Sequence, residues 1–230
     1  MKTIGLLGGM SWESTVTYYQ TINELVKQRL GGLHSAKLLL YSVDFAELES
    51  RMSAGDWEGA AAILCDAAQR LKAAGADFLI ICTNTLHKVA PQIERTSGLP
   101  VLHIAHTVAW ELKAKGVTRA ALLGTRFTME QDFYKEILRG EGIEVLLPNV
   151  SDRAIVDRVI FQELCLGVVS DASRKEYLRI INQLADAGAQ GVIFGCTELG
   201  LLVHPKDCSL PVFDSAVIHS AHAARLALEE

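Results

Sequence analysis

The segments Gly75–Lys88, GADFLIICTNTLHK, and Gly188–Leu201, GAQGVIFGCTELGL, can be written one above the other without a gap. In each, a Gly-Ala pair follows an amphipathic stretch, an apolar run follows the pair, and a polar cluster ends the run. Short apolar runs bounded by glycine are typical of buried strands in a parallel sheet. Both segments therefore predict the same unit: a helix, a strand, and a polar loop that opens the next helix.

A second pair of segments repeats at nearly the same offset. IGLLGG from Ile4 and AALLGT from Ala120 begin 116 residues apart, and the first pair of segments begin 113 residues apart. Because two different strand–loop units recur in the same order, the sequence indicates a duplicated α/β half, with the two copies related by a pseudo-twofold axis. We predict a first half of residues 1–100 with 214–230, a second half of residues 101–213, and an active site in the cleft between them.

Apolar, β-branched runs alternate with longer amphipathic segments along the chain. This alternation predicts α/β halves with parallel sheets covered on both faces, as in flavodoxin-like doubly wound folds. The predicted strands are Thr3–Gly8, Lys37–Val43, Phe78–Cys82, Val101–Ile104, Ala120–Gly124, Glu144–Leu147, Val192–Gly195 and Pro211–Phe213. The predicted helices include one over Trp57–Leu71 that stops near Gly75, one opened by a capping box at Ser173–Glu176, and a last one over Ala216–Leu228 that returns to the first half.

The composition is that of a globular protein with a large core, since 50% of the 230 residues are hydrophobic and 21% are charged. The formal net charge of −5 gives no electrostatic reason to expect a nucleic acid or an anionic membrane as partner. No apolar run approaches the roughly 20 residues that span a bilayer, and Met1 leads into a strand-like run rather than a signal peptide. Five cysteines without a CxxC pair favour reduced thiols in the cytoplasm.

Four polar clusters follow predicted strands, at the positions where parallel α/β sheets bind ligands. They are Gly8–Ser11, Thr83–Thr85, Gly124–Arg126 and Cys196–Glu198. The first lacks the spacing of a phosphate-binding loop, so we expect its tight turn to bring backbone N–H groups to a carboxylate. The polar neighbours in the second and fourth clusters are candidate substrate-binding residues: Asn84, Thr85, Thr197 and Glu198.

The gapless repeat pairs Thr83, and not Cys82, with Cys196. Because side chains alternate along a strand, Cys82 is expected to point into the packing, opposite in sense to Thr83. A thiol at a strand end, before a helix N-terminus, is expected to have a lowered pKa and to be reactive. The alternative is that Cys196 is a small buried hydrophobic residue, as most free cysteines are.

Several other side chains are candidates with an ordinary structural alternative. Arg51 and Arg126 could clamp a substrate carboxylate or be surface arginines. Met10 and Met52 could line an adaptable substrate pocket or pack the core. His87 is expected to be a supporting hydrogen-bond partner rather than a base. The histidines spaced at i, i+3 lack a completing ligand, so no metal site is predicted; they are His103 with His106 and His219 with His222.

Four short motifs are spread along essentially the whole chain: GLLGGM at Gly5–Met10, TNTLH at Thr83–His87, GTRFTME at Gly124–Glu130 and GCTELGLL at Gly195–Leu202. Together they resemble the aspartate/glutamate racemase family. GGMSWEST with TNTLHK is similar to its YgeA-like branch, described as amino-acid racemases of broad or Asp/Glu specificity. The resemblance implies a homodimeric isomerase that uses no cofactor. Two cysteines on opposite sides of the substrate Cα would act there, one removing a proton as thiolate and the other returning one as thiol.

The sequence departs from this pattern at the first cysteine, since the family's C-N-T-A-H is here Thr83-Asn-Thr-Leu-His87. An alkyl hydroxyl is about as weak an acid as water, whose pKa is about 15.7, whereas a free thiol has a pKa of about 8.5. Forming an alkoxide therefore costs roughly 10 kcal/mol more than forming a thiolate. The resemblance assigns the L-amino acid to the second cysteine, so we predict a slow enzyme biased toward L substrates, with Cys196 as base and Thr83, or a water it holds, on the opposite face.

Two other functions remain open from the residues. Relatives with a single cysteine on this fold include decarboxylases of malonate-type acids, in which one thiol protonates an enediolate. A catalytically impaired protein that only binds amino acids would also retain the polar clusters.

Overall fold

The computed structural model describes residues 1–229, which form two compact units. The first unit comprises Met1–Ile104 and the end of the chain from His219, and the second comprises Ala105–Ile218. The prediction placed these boundaries after residues 100 and 213, a few residues earlier in each case. Among the described residues, no helix is long and apolar enough to cross a membrane.

The first unit contains a parallel sheet of three strands. They are β1 (Ile4–Gly8), β2 (Leu38–Ser42) and β3 (Phe78–Ile81), in the order β2-β1-β3. The predicted strand Val101–Ile104 is wrong in its extent. Only Val101 pairs, through an isolated parallel bridge to Leu79, because a helix begins at Ile104.

Helices follow each strand of the first unit. They are α1 (Trp12–Leu30), α2 (Phe45–Ser53), α3 (Trp57–Ala73) and α4 (Ala90–Ser97), with a 3-10 helix at Thr85–Val89, and α5 (Ile104–Ala114) begins at the last residue of the first segment. The predicted helix from Trp57 is confirmed. The Asp56 carboxylate accepts a hydrogen bond from Gly59 N at its start, and Gly75, with φ of +98°, ends it in the left-handed region that glycine tolerates.

The second unit contains a parallel sheet of four strands. They are β4 (Arg119–Gly124), β5 (Glu144–Leu146), β6 (Gly191–Gly195) and β7 (Val212–Asp214), in the order β5-β4-β6-β7. Its helices are α6 (Arg126–Glu130), α7 (Asp132–Gly140), α8 (Val150–Gln162), α9 (Asp171–Asp186) and α10 (Leu199–Leu202). The last helix, α11 (Ser215–Leu228), begins in this unit and belongs to the first unit from His219 onward. In both units the earliest strand lies between the second and the third, as a duplicated α/β half requires.

The predicted capping box at Ser173–Glu176 is wrong. Helix α9 begins one turn earlier, because the Ser170 side chain accepts a hydrogen bond from Ser173 N and so caps the helix. The Ser173 hydroxyl instead donates to the Glu163 carboxylate, across a distance of 2.5 Å. A serine three residues later satisfies the same sequence pattern but lies inside the helix.

Two buried histidines hold the first unit together. His219 donates from Nε2 to the Leu102 carbonyl oxygen at 2.7 Å, and its Nδ1 accepts from the Tyr18 hydroxyl at 2.9 Å. His87 donates from Nδ1 to the Thr83 carbonyl oxygen at 2.7 Å, and its Nε2 accepts from Ile104 N at 3.2 Å. His87 makes both bonds only when its ring is neutral, because the Ile104 N–H can only donate. Burial accordingly lowers the pKa of His219 to about 3 and lowers the pKa of His87 well below its ordinary value.

The protein is expected to lose stability as the pH falls below about 6.5. Above that pH these histidines are neutral in both the folded and the unfolded chain, so they contribute nothing. Below it the unfolded chain takes up protons that the folded chain does not, which favours unfolding by about 1.4 kcal/mol per pH unit for each histidine.

Urea denaturation at pH 7.5 and pH 5 measures this effect, and we expect a loss of about 2 kcal/mol from His219, whose pKa in the folded protein is about 3, and a further loss from His87. The exposed His34 provides a control, since His34→Gln should leave the pH dependence intact. A free energy of unfolding that is equal or higher at pH 5 would contradict the assignment.

Candidate active site

Two neighbouring strands of the second unit end side by side at Gly124 and Gly195, which lie opposite each other in the register of β4 and β6. A Cβ atom on Gly124 would lie 2.8 Å from the Gly195 carbonyl oxygen, so a larger residue does not fit there. The next residues are Thr125 and Cys196. The close approach of the strands therefore places the predicted catalytic thiol at the carboxyl edge of the sheet, where ligands bind in this class of fold.

Cys196 is buried, with 8% of its surface exposed, and it belongs to the apolar core of the second unit. Its thiol donates a hydrogen bond to Glu198 Oε2 at 3.0 Å. The Thr197 hydroxyl donates to the same carboxylate oxygen at 2.8 Å. Glu198 is itself buried, with 4% exposed, so the thiol and the carboxylate form a pair largely shielded from solvent.

The expected lowering of the Cys196 pKa is wrong. Burial raises the pKa of the thiol well above its ordinary value, and the negative charge of Glu198 raises it further. The helix that was expected to lower the pKa, α10, has only four residues, and the field of its N-terminus is weaker at the sulfur than that of the adjacent carboxylate. In the resting enzyme Cys196 is therefore a thiol whose hydrogen-bonded proton acceptor is Glu198.

A second carboxyl group, which the sequence patterns did not predict, lies near Glu198. Asp214 ends β7, and its Oδ1 accepts hydrogen bonds from Ala216 N at 2.9 Å and Val217 N at 3.2 Å. Burial raises the pKa of Asp214, and the charge of Glu198 contributes in the same direction. Its position at a strand end was the available signal. The predicted strand ended at Phe213, so Asp214 was not recognised as the residue at the strand end.

In the first unit, Cys82 and Thr83 have opposite surroundings, as predicted. Cys82 is completely buried, and burial raises the pKa of its thiol. Thr83 is half-buried and lies in the turn after β3, where its N–H donates to the Ile81 carbonyl oxygen at 2.8 Å. The predicted substrate-binding residues Asn84 and Thr85 follow it and are nearly buried, with 2% and 6% exposed.

His87 supports this turn and is not placed to act as a base. Its Nδ1–H bond to the Thr83 carbonyl oxygen fixes the backbone that carries the Thr83 hydroxyl. The ring also packs against His103, with ring centroids 4.6 Å apart. Within residues 1–229, no group of three or more His, Cys, Asp or Glu side chains could hold a metal ion.

The backbone N–H groups of the Gly8–Ser11 loop were expected to approach a carboxylate, and the N–H of Gly9 does not have this role. Gly9 has φ of +89°, and a Cβ atom there would collide with the backbone of Val43. However, Gly9 N donates to Thr15 Oγ1 at 2.9 Å, so this N–H is already used inside the protein. Met10 is buried, with 3% exposed.

Arg51 pairs with an acidic side chain in the first unit. Its Nη1 lies 2.7 Å from Asp56 Oδ2, whereas its Nε is buried and makes no hydrogen bond within the described part of the chain. Met52, next to it, is buried with 4% exposed. Arg126, in the second unit, is exposed and lies over the Phe127 ring, with its guanidinium carbon 5.9 Å from the ring centroid. Of the two arginines, Arg51 is the one with a buried donor still open.

Comparison with known proteins places this chain in a family. The family model for Asp/Glu/hydantoin racemases matches residues 7–223. The broad specificity amino-acid racemase RacX of Bacillus subtilis (strain 168) is 23% identical over 220 residues, which are 93% of this chain and 92% of RacX. The chain belongs to the Asp/Glu/hydantoin racemase family, as the sequence motifs predicted. It is an enzyme of the amino-acid racemase class, an isomerase.

Solved structures of similar proteins share the fold. A candidate Asp/Glu racemase from Yersinia pestis is 54% identical with a TM-score of 0.93, and an aspartate racemase homologue from Pyrococcus horikoshii OT3 is 37% identical with a TM-score of 0.86. Both comparisons cover 100% of each chain. An unliganded arylmalonate decarboxylase is 16% identical over 99% of this chain and 94% of its own, with a TM-score of 0.53, which shows the fold alone.

Replacing Glu198 with glutamine is expected to make Cys196 more reactive toward alkylation. The substitution removes the negative charge next to the sulfur, which lowers the thiol pKa and increases the thiolate fraction. A thiol pKa that is lower by one raises this fraction about tenfold. Iodoacetamide labelling at pH 8, followed by mass spectrometry of the Cys196 peptide, measures the rate.

The exposed Glu130 offers a matched control, because Glu130→Gln should leave the labelling rate of Cys196 unchanged. Thermal unfolding of both variants shows whether the fold is retained. Equal or slower labelling in folded Glu198→Gln would mean that the carboxylate does not hold the thiol in its protonated form.

Proposed function

We propose that the protein is a cofactor-independent amino-acid racemase that acts on Asp and Glu or on a broader set of amino acids. Cys196 removes the Cα proton as thiolate, and Thr83, or a water that it holds, serves the opposite face of the substrate. The observation that carries this proposal is the 3.0 Å contact between the Cys196 thiol and the Glu198 carboxylate, which couples a latent base to a proton acceptor.

The proposed proton path is balanced without any further reagent. On substrate binding the Cys196 thiol gives its proton to Glu198, and the resulting thiolate takes the Cα proton of an L-amino acid. The carbanion then takes a proton from Thr83 or its water on the other face and becomes the D-amino acid. Glu198 finally loses its extra proton to solvent, and the Thr83 side regains one. The Thr197 hydroxyl, 2.8 Å from the same Glu198 oxygen, orients the acceptor.

Removal of the Cα proton differs in difficulty between the two faces of the substrate. With D substrates the base would be the Thr83 hydroxyl or its water, and forming an alkoxide costs roughly 10 kcal/mol more than forming a thiolate. Proton removal and exchange at Cα are therefore strongly biased toward L substrates, and racemisation, which needs both faces, is slow overall.

Recognition of the substrate is proposed for the polar residues that flank Thr83 and Cys196, namely the buried Asn84, Thr85 and Glu198 and the partly buried Thr197. Arg51 is the proposed clamp for the second carboxylate of Asp or Glu, because its buried Nε has an open donor although Asp56 occupies Nη1. Met10 and Met52 are proposed to line the side-chain pocket, and their flexible thioethers suit a set of substrates broader than one amino acid.

A decarboxylase of malonate-type acids is the alternative enzyme, because it also needs only one thiol. The two reactions leave different products. Racemisation in deuterated water exchanges Cα–H without loss of CO2, whereas decarboxylation releases CO2. A protein that only binds amino acids would be stabilised by them against heat and would give neither product.

The proposed assembly is a homodimer, as the family resemblance implies. The proposed location is the cytoplasm, which rests on the five cysteines, all of which are free thiols.

L-amino acids are expected to exchange their Cα proton much faster than D-amino acids. Initial rates on both enantiomers of Asp, Glu and homoserine, followed by deuterium incorporation and chiral chromatography, measure the difference. Thr83→Cys should then raise the rate on the D enantiomers by at least tenfold, because a thiol replaces the hydroxyl. Equal initial rates of the unchanged enzyme on both enantiomers would refute the assignment of Thr83.

Cys196→Ala is expected to abolish turnover, whereas Cys82→Ala should be largely tolerated. Both positions hold a buried cysteine in folded protein, so the pair forms its own control for the loss of a thiol. Glu198→Gln should slow racemisation even though it speeds alkylation of Cys196, since the proton acceptor is gone. Loss of activity in a folded Cys82→Ala variant would overturn the register on which the site is built.

A further inference from the structure

The two oxygens of the Asp214 carboxylate face different surroundings. Within residues 1–229 both of its hydrogen bonds end on Oδ1, which accepts from Ala216 N and Val217 N and so caps the start of α11. Oδ2 lies against Gly200, where a Cβ atom would be only 2.9 Å away from it. A helix cap uses one acceptor oxygen, so the second oxygen is available for another role.

Gly200 brings this second oxygen to the loop that carries Glu198. It follows Glu198 by two residues, and a larger residue in its place would displace the Asp214 carboxylate. Burial raises the pKa of Asp214 and the negative charge of Glu198 raises it further, as expected for two carboxyl groups that lie near each other. Because the Cys196 thiol donates to Glu198 Oε2, a thiol and two carboxyl groups follow one another in this loop region.

Asp214 also lines a cavity of about 400 Å³ in the second unit. The lining includes Phe194 and Val203, which are buried, and Pro205 and Val217, which are exposed. The cavity therefore leads from solvent toward the Asp214 carboxylate. Among the described residues that line it, Asp214 is the one with an ionisable side chain.

Glu198 needs a route by which its extra proton leaves. In the proposed reaction Glu198 takes the proton of the Cys196 thiol, and it has to lose this proton before the next turnover. Solvent has little access to Glu198, since only 4% of its surface is exposed. A neighbouring carboxyl group at an open cavity can take up the proton and release it, and a raised pKa brings this group closer to the pH at which the enzyme works.

We propose that Asp214 relays protons between Glu198 and the solvent that enters this cavity. The inference rests on the racemase function proposed above and adds the exit of the proton. Protonated Glu198 gives its proton to Asp214 Oδ2, and Asp214 gives it to water, so one proton leaves, no electrons move and both carboxylates are restored. The relay works in both directions, so it also exchanges the Cys196 proton with solvent. Asp214 acts through Glu198 and does not touch the substrate.

Asp214→Asn tests the relay, because asparagine caps a helix as well as aspartate does but cannot take up and release the proton. An L-amino acid is incubated with the enzyme in deuterated water, and chiral chromatography with mass spectrometry gives the deuterium in the recovered L substrate and the amount of D product. In the unchanged enzyme the L substrate gains deuterium, since the proton on Cys196 reaches solvent before it returns to Cα. In Asp214→Asn the ratio of exchange to inversion is expected to fall about tenfold or more.

This ratio separates a relay from a structural role. Damage to the fold would slow exchange and inversion together and leave their ratio as it is. Asp44→Asn is the matched control, since the exposed Asp44 caps α2 through the same kind of bond, from Ala46 N to its Oδ1 at 3.1 Å. Asp214→Ser keeps a capping oxygen and leaves room beside the cavity, so added formate should restore exchange in this variant and leave the unchanged enzyme as it is.

Thermal unfolding shows whether each variant is folded. An unchanged ratio in folded Asp214→Asn, an equal fall in Asp44→Asn, or a loss of exchange in Asp214→Ser that formate does not reverse would refute the relay. Racemisation by the unchanged enzyme would in each of these cases leave the proposed function standing. If the unchanged enzyme neither exchanges nor inverts any amino acid, the proposed function and the relay are both refuted.

Discussion

The parallel pairing of the first and third strands of each unit is the constraint on which the candidate site depends. β1 lies beside β3, and β4 lies beside β6, so within each unit two strands deliver their last residues to the same edge of the sheet. In the second unit the facing pair is Gly124 and Gly195, where a side chain has no room. The chain can then turn sharply into polar loops, and Cys196 lies where the apolar core of the second unit meets such a loop.

Much of this arrangement could be predicted because it depends on periodicity. Strand alternation separates Cys82 from Thr83, and the repeat fixes which of them corresponds to Cys196. Two predictions were wrong for local reasons. The strand predicted at Val101–Ile104 is reduced to one bridge at Val101 because a helix starts at Ile104, and Ser170 rather than Ser173 caps α9. In the first case the start of a helix ends the strand, and in the second case one side-chain hydrogen bond fixes the start of the helix.

The protonation state of Cys196 could not be predicted from position alone. A thiol before a helix start suggests a lowered pKa, yet the pKa is raised by burial and by Glu198. The sign depends on which charge lies nearest the sulfur, and a carboxylate oxygen at 3.0 Å outweighs the start of a four-residue helix. The sequence contains Glu198 two residues away, but only the folded loop brings its oxygen to the thiol. In the proposed mechanism this buried thiol stays protonated at rest and gives its proton to Glu198 when substrate binds.

The repeat also shows that the two candidate site loops differ at more than one position. In the gapless alignment Thr83 corresponds to Cys196, and Thr85 corresponds to Glu198. The first unit therefore lacks both the thiol and the carboxylate that would accept its proton. In the second unit the thiol of Cys196 and the carboxylate of Glu198 occur together. A thiol introduced at position 83 would be an ionisable group without its acceptor. The proposed bias in Cα-proton removal therefore has two separate sources, acidity and proton transfer, and a single substitution removes only the first.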